Sequence, residues 1–308
     1  MNIWDGLLQG IIQGMTEFLP ISSSGHLSLY QYFTGNSGEG SLFFNLMLHM
    51  GTLAAVVAAY YEDLWGMLKE VGRMLKEIAA GQFSLKTDNP DRKMLFMLVV
   101  ACLPMVLLIP LKKFVANISG DRDIVVEGIA FLLTSLLLFA GCAAKRGKAG
   151  IRKMRPKQAV TVGVVQTIAA IPGLSRSGST ISTGLILGFD RAFMVKFSFL
   201  LGIPAILGGA IFEIGDVVKE KVEISFWPLF LGMLAAAATG YICIRLVRGL
   251  LVNNHFKVFA WYTLVLGVVV LIVGIIGHIK AGGTASDISQ AANSVVSSIS
   301  QAASTSGT

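Results

Sequence analysis

Two apolar stretches of this chain, about residues 3–33 and 158–188, are each broken by a polar segment rich in Gly, Pro and Ser. The first break reads Pro20-Ile21-Ser22-Ser23-Ser24-Gly25-His26, and the second runs Pro172-Gly-Leu-Ser-Arg-Ser-Gly-Ser-Thr180. Six unbroken apolar runs accompany them, at 43–61, 93–113, 124–144, 193–215, 226–248 and 257–278, each of 19 to 23 residues. A helix of that length crosses a hydrocarbon core of about 30 Å. Backbone that leaves the helix at membrane depth must find its hydrogen bonds in protein or in a water-filled cavity. Re-entrant hairpins meeting inside a bundle meet that demand. The chain therefore reads as an all-α polytopic membrane protein with about six full spans and two re-entrant helical hairpins. Composition agrees, with 54% hydrophobic and 14% charged residues and a mean hydropathy of +0.70. That balance excludes a soluble enzyme, a disordered chain and a nucleic-acid-binding domain.

The two broken stretches also resemble each other. At an offset of 153, Gly10-Ile11-Ile12-Gln13 falls on Gly163-Val164-Val165-Gln166, and Ser22, Ser24 and Gly25 fall on Ser175, Ser177 and Gly178. Repeats with broken helices in matching places point to a site where the breaks meet. A hairpin returns to its own side and three full spans follow it, so the second hairpin enters from the opposite face. The topology is an inverted repeat. Residues 1–278 form a single integral-membrane domain, with repeat one at about 3–144 and repeat two at about 158–278. One side of this layout carries seventeen Lys and Arg, the other six. The richer side is cytoplasmic, which places both termini and the mouth of the first hairpin on the outer face.

Smaller features fit this plan. Leu64, Met67, Leu68, Val71, Leu75 and Ile78 recur at helical spacing within 62–80 and predict an interfacial helix. Gly6, Gly10 and Gly14 predict a close helix contact. Lys196 is expected to snorkel. Cys102, Cys142 and Cys243 lack metal or disulfide spacing and read as packing residues. The residues Met1 to Asp5 do not read as the start of a signal peptide. The Ser/Ala-rich segment 281–308 is expected to be a flexible external tail.

Chemistry concentrates in the breaks. Glu17 lies in an apolar helix four residues after Gln13, on the same face. A carboxylate at membrane depth costs about 2.5–3.5 kcal/mol on insertion scales and usually serves a function with a partner. Its natural partner is Arg176, in the other hairpin. Around the two charges stand Ser22, Ser23, Ser24, Ser175, Ser177, Ser179 and Thr180, with Gly173 in the second turn. Free N–H groups at a helix start, a guanidinium fork and hydroxyls together suit phosphate oxygens. The combination predicts a phosphate or diphosphate pocket. His26 follows the first turn and is placed to exchange a proton near neutral pH. His49 has a weaker case, with packing an equal alternative.

These residues give the chain a resemblance to the bacterial undecaprenyl-diphosphate phosphatase family of the bacitracin-resistance type. The resemblance is carried by Gln13-Gly-Met-Thr-Glu17, which continues into Phe18-Leu-Pro-Ile-Ser-Ser-Ser-Gly-His26, and by Pro172 through Thr180. It implies a plasma-membrane hydrolase acting on a phosphoric anhydride. The reaction converts C55 undecaprenyl diphosphate to the monophosphate and phosphate, recycles the carrier lipid of cell-wall synthesis and confers bacitracin resistance. A divalent cation, Mg2+ or Ca2+, is also implied, with Glu17 and Gln13 as its ligands, directly or through water; some members carry Glu where Gln13 stands. Glu17, Ser23, His26 and Arg176 are the expected catalytic residues. Ser22, Ser24, Gly173, Ser175, Arg176, Ser177 and Thr180 are expected to bind phosphate. Ser23 attacks phosphorus, or His26 activates water to do so, or His26 deprotonates Ser23. The expected partners are the bilayer, a polyprenyl diphosphate lipid and a second copy in a homodimer, with no nucleic acid. The alternative is an inverted-repeat transporter or flippase for a polyprenyl phosphate lipid.

Overall fold

A capping serine restarts the helix in both hairpins in the same way. In the computed structural model, residues 2–35, 41–84, 88–107, 124–217, 225–252 and 256–280 are described, with 293 and 297 as isolated positions. The helices among them are α1 (Ile3–Phe18), α2 (Ser23–Thr34), α3 (Ser41–Ala59), α4 (Tyr61–Ala79), α5 (Pro90–Leu107), α6 (Val125–Ala143), α7 (Pro156–Ile168), α8 (Arg176–Ile186), α9 (Arg191–Val217), α10 (Phe226–Val252) and α11 (Phe256–Lys280). No strand occurs among the described residues, which hold one isolated bridge, Ala149 with Phe189. Helix α1 stops at Leu19, whose backbone is extended, as the residue before a proline prefers. Helix α2 then starts from Ser22, whose side chain accepts the Gly25 N–H. In the second hairpin α8 starts from Ser175, whose side chain accepts the Gly178 N–H. The two caps are related by the 153-residue offset read from the sequence.

The same offset governs packing. Helix α1 lies along α10, and α7 lies along α5. A Cβ on Gly10 would overlap the carbonyl of Gly232, and one on Gly163 would overlap the carbonyl of Ala101. Only glycine permits backbones to approach so closely. Gly6 and Gly14 extend the α1 contact to Pro228 and Ala236, as their spacing predicted. Gly10→Leu is therefore expected to cost about 3 kcal/mol, the upper end for overpacking. Gly72 has open space around it, so Gly72→Leu is expected to leave stability nearly unchanged. Thermal unfolding in detergent compares the two, and equal melting temperatures would refute the close-contact account.

Four described helices are long and apolar enough to cross a membrane, within α6, α9, α10 and α11. A fifth span arises if the bent pair α3–α4 is counted as one. This is a multi-pass membrane protein. The expected span 93–113 falls on α5, whose described part ends at Leu107; residues 108–113 lie outside the described residues, as do the outer-side cations of 112–122 and 219–221. The predicted interfacial helix is α4, turned 82° from α3, with Leu68, Leu75 and Ile78 exposed and Met67 buried. The Arg92 guanidinium takes both Glu77 oxygens at 2.8 and 2.6 Å and Glu70 at 3.2 Å, tying α4 to α5. Lys196 pairs with Asp63 at the start of α4. The tail 281–308 falls outside the description apart from the two isolated residues.

The main core runs where α1 ends. Phe18 is fully buried and meets the Phe199 ring of α9 edge-on, with centroids 5.3 Å apart. That contact fixes the last turn of α1, and with it Glu17, against the middle of the bundle.

Candidate active site

The hairpin tips interlock. Ser177 Oγ of the second donates to the Leu19 carbonyl of the first at 3.1 Å. Gly173 N–H, at a φ of 86°, donates to Ser24 Oγ at 3.4 Å. Between these ties, Glu17 gathers the polar groups. Its Oε1 accepts from Arg176 Nη2 at 2.7 Å, and its Oε2 accepts from Ser23 Oγ at 2.6 Å and Gln13 Nε2 at 3.0 Å. The Gln13 amide also donates to His49 Nδ1 at 2.9 Å, and that imidazole lies 3.7 Å from Glu17. Arg176 Nη1 is buried and has no partner among the described residues. Gly202 of α9 leaves room for the guanidinium, since any Cβ there would overlap it.

These groups open onto a cavity of about 470 Å³. Glu17, Ser23, His49 and Arg176 form its polar side, while Val106 of α5 and Pro204, Ile206 and Gly208–Ala210 of α9 form an apolar side. Val106 is 61% exposed, so the apolar side reaches the outer surface of the bundle. A cavity of this composition takes a polar headgroup at one side and a hydrocarbon chain at the other.

The structure sorts the expected residues into two sets. Gln13, Glu17, Ser23 and Arg176 come together, and Ser22, Ser24 and Ser175 line the same cavity. Ser177, Thr180 and Gly173 are not among its lining residues: Thr180 bonds the Arg176 carbonyl at 2.9 Å and Ser198 Oγ at 2.6 Å, holding α8 to α9. His26 is also placed elsewhere. Its Nδ1 donates to the Ser22 carbonyl at 2.6 Å, which leaves Nε2 to accept from the Tyr262 hydroxyl at 2.8 Å. The ring stacks on Tyr262 and meets Phe131 edge-on. This grip serves the turn: Ser22 is the one non-glycine residue at positive φ, 70°, among the described residues. Such backbone costs about 1–3 kcal/mol and persists only where its surroundings hold it.

His49 takes the place beside Glu17 that His26 was expected to fill. The sequence offered His49 as a weaker candidate, with packing an equal alternative. Thr134, which accepts the Ser175 N–H at 3.0 Å, and Tyr262 are silent in the sequence. Gln166, by contrast, was marked by its alignment with Gln13, and it too lines the cavity.

For a divalent cation, the donor set fits one kind of site. Among the described residues no three His, Cys, Asp or Glu cluster. Glu17 and the Gln13 Oε1, which is buried without a partner among the described residues, suit an ion that takes its other oxygens from phosphate and water, as Mg2+ does.

Comparison with known proteins identifies the family. The family model described as bacitracin resistance protein BacA matches residues 6–269. A protein of Alkaliphilus metalliredigens named undecaprenyl-diphosphatase is 34% identical over 277 residues, 90% of this chain and 100% of the relative. A protein of the same name from Desulfosudis oleivorans is 37% identical over 271 residues, 87% of this chain and 97% of the relative. One from Korarchaeum cryptofilum is 35% identical over 272 residues, covering 88% and 99%. With the matched region spanning both hairpins and the cavity between them, the chain belongs to the bacitracin resistance protein BacA family.

Proposed function

We propose that the cavity hydrolyses undecaprenyl diphosphate to undecaprenyl phosphate and phosphate. The chain is a membrane-bound undecaprenyl-diphosphatase, which recycles the carrier lipid of cell-wall synthesis and confers the bacitracin resistance for which its family is named. One observation carries the assignment of the site: a hydroxyl, a carboxylate and a guanidinium with a buried free Nη1 converge beside an apolar wall open to lipid.

In our reading Ser23 Oγ attacks the terminal phosphorus and gives its proton to Glu17, which already accepts it at 2.6 Å. The bond from that phosphorus to the bridging oxygen breaks, and undecaprenyl phosphate leaves. Water then attacks the phosphoserine, Glu17 returns its proton to the departing Ser23 Oγ, and phosphate is released. Arg176 offsets the charge on the equatorial oxygens through Nη1, while Nη2 stays on Glu17. A divalent cation held by Glu17 and Gln13 supplies Lewis-acid neutralisation of the diphosphate when bound. The side of the membrane follows from charge: the basic loops face the cytoplasm of a bacterial plasma membrane, and the first hairpin opens outward.

Phosphate release by the purified protein from C55 diphosphate tests the reading. Arg176→Lys is expected to lower release by about 10²-fold, because an ammonium lacks the planar second donor. Wild-type protein that carries the lipid across vesicles without releasing phosphate would overturn the hydrolase and favour a flippase.

A further inference from the structure

Gln166 is 3% exposed and lines the cavity. Its Oε1 has no hydrogen-bond partner among the described residues. Its Nε2 reaches the Met105 thioether at 3.1 Å, a weak acceptor. Buried amides in folded proteins are almost always paired. A carboxamide left this way, facing a cavity, points to a ligand that completes it.

The repeat shows why its NH2 has no better acceptor than the Met105 thioether. Gln13 and Gln166 each stand three residues after the glycine that seats their helix, Gly10 against Gly232 and Gly163 against Ala101. Gln13 spends its amide on Glu17 and His49. At the position that matches Glu17, the second hairpin has Ala170, which leaves Gln166 no carboxylate to hold. Its neighbours in the lining are Cys102, Met105 and Val106 of α5, together with Ala169 and Ala170. Gln166 is thus a polar group set in the apolar wall.

We infer that Gln166 binds the lipid-side phosphate of the substrate, the one that stays on the product. The inference rests on the phosphatase reading and deepens it. With the terminal phosphate at Ser23 and Arg176, the second phosphate lies toward the apolar wall, where the prenyl chain continues. Gln166 meets it there. Rotation about the terminal amide torsion, which is broad and roughly two-fold, turns either the NH2 or the carbonyl to the ligand. The NH2 suits an ionised phosphate oxygen.

Binding, measured without turnover, separates this inference from the hydrolase reading. The probes are a C15 prenyl monophosphate and inorganic phosphate, titrated into detergent-solubilised protein. Gln166→Met, close in volume and apolar, is expected to weaken the prenyl monophosphate about tenfold, the scale of a hydrogen bond to a charged group. Inorganic phosphate, held at Arg176, keeps its affinity. Gln166→Glu keeps the shape but adds like charge, and it is expected to weaken the prenyl monophosphate further. Unchanged prenyl monophosphate affinity in both variants overturns the inference. So does an equal loss for both probes, which marks a general disturbance. Each of these results bears on Gln166 whether or not the wild type releases phosphate.

Discussion

Ser23→Ala is expected to lower phosphate release by roughly 10⁴-fold or more, the scale seen when an activated nucleophile is removed. The lipid is expected to bind as before. Ser23 is the first residue of α2, half-buried at the edge of the cavity, and its Oγ lies 2.6 Å from Glu17. That distance is typical of a hydroxyl donating to a carboxylate. The alanine variant keeps the Ser22 cap, the Arg176–Glu17 pair and the apolar wall, so the loss should fall on kcat and leave KM near its wild-type value. Single-turnover phosphate release, with prenyl diphosphate affinity measured on the same preparation, checks both halves. Near-normal turnover would instead mean direct attack by water and would remove the serine from the chemistry.

Glu17→Gln is expected to lower turnover by roughly 10³-fold, within the range for loss of a positioned general base. It should also destabilise the protein. The amide matches the carboxylate in shape, but it turns an NH2 toward groups that now donate to Glu17: Arg176, Ser23 and Gln13. Breaking a buried pair leaves an uncompensated charge and costs about 3–5 kcal/mol in closed sites. Because the Arg176 side chain is 18% exposed, about 3 kcal/mol, the lower end, is the expectation here. A fall in melting temperature alongside the lost activity supports the assignment. The double variant with Ser23→Ala should turn over no more slowly than Ser23→Ala alone, since residues that act as a unit are not additive. Multiplying losses would show that Glu17 serves a separate step.

Much of this architecture was legible because the membrane imposes it. Apolar runs, proline stops and Ser-x-x-Gly caps are local, and the 153-residue offset placed both the caps and the close contacts at Gly10 and Gly163. The pairing of Glu17 with Arg176 followed from charge alone: two opposite charges among few in the hairpins had to meet. His26 shows where local reading stops. It lies one helical turn from Ser23, yet its ring is held by the Ser22 carbonyl on one side and by Tyr262, 236 residues away, on the other. No pattern near His26 announces Tyr262. Likewise, hydroxyls in a serine-rich turn are alike in sequence, and only packing separates Ser175, which lines the cavity, from Ser177, which ties the hairpins together.

The matched hairpins bear on symmetry. Ser23 in one and Arg176 in the other occupy the same place, immediately after the capping serine, and both reach Glu17. Two identical half-length chains inserted in opposite directions would set like against like there, two hydroxyls or two guanidinium groups. Neither pairing supplies both an attacking oxygen and a cation for the phosphate. The reaction centre therefore requires two halves that differ in sequence at this position.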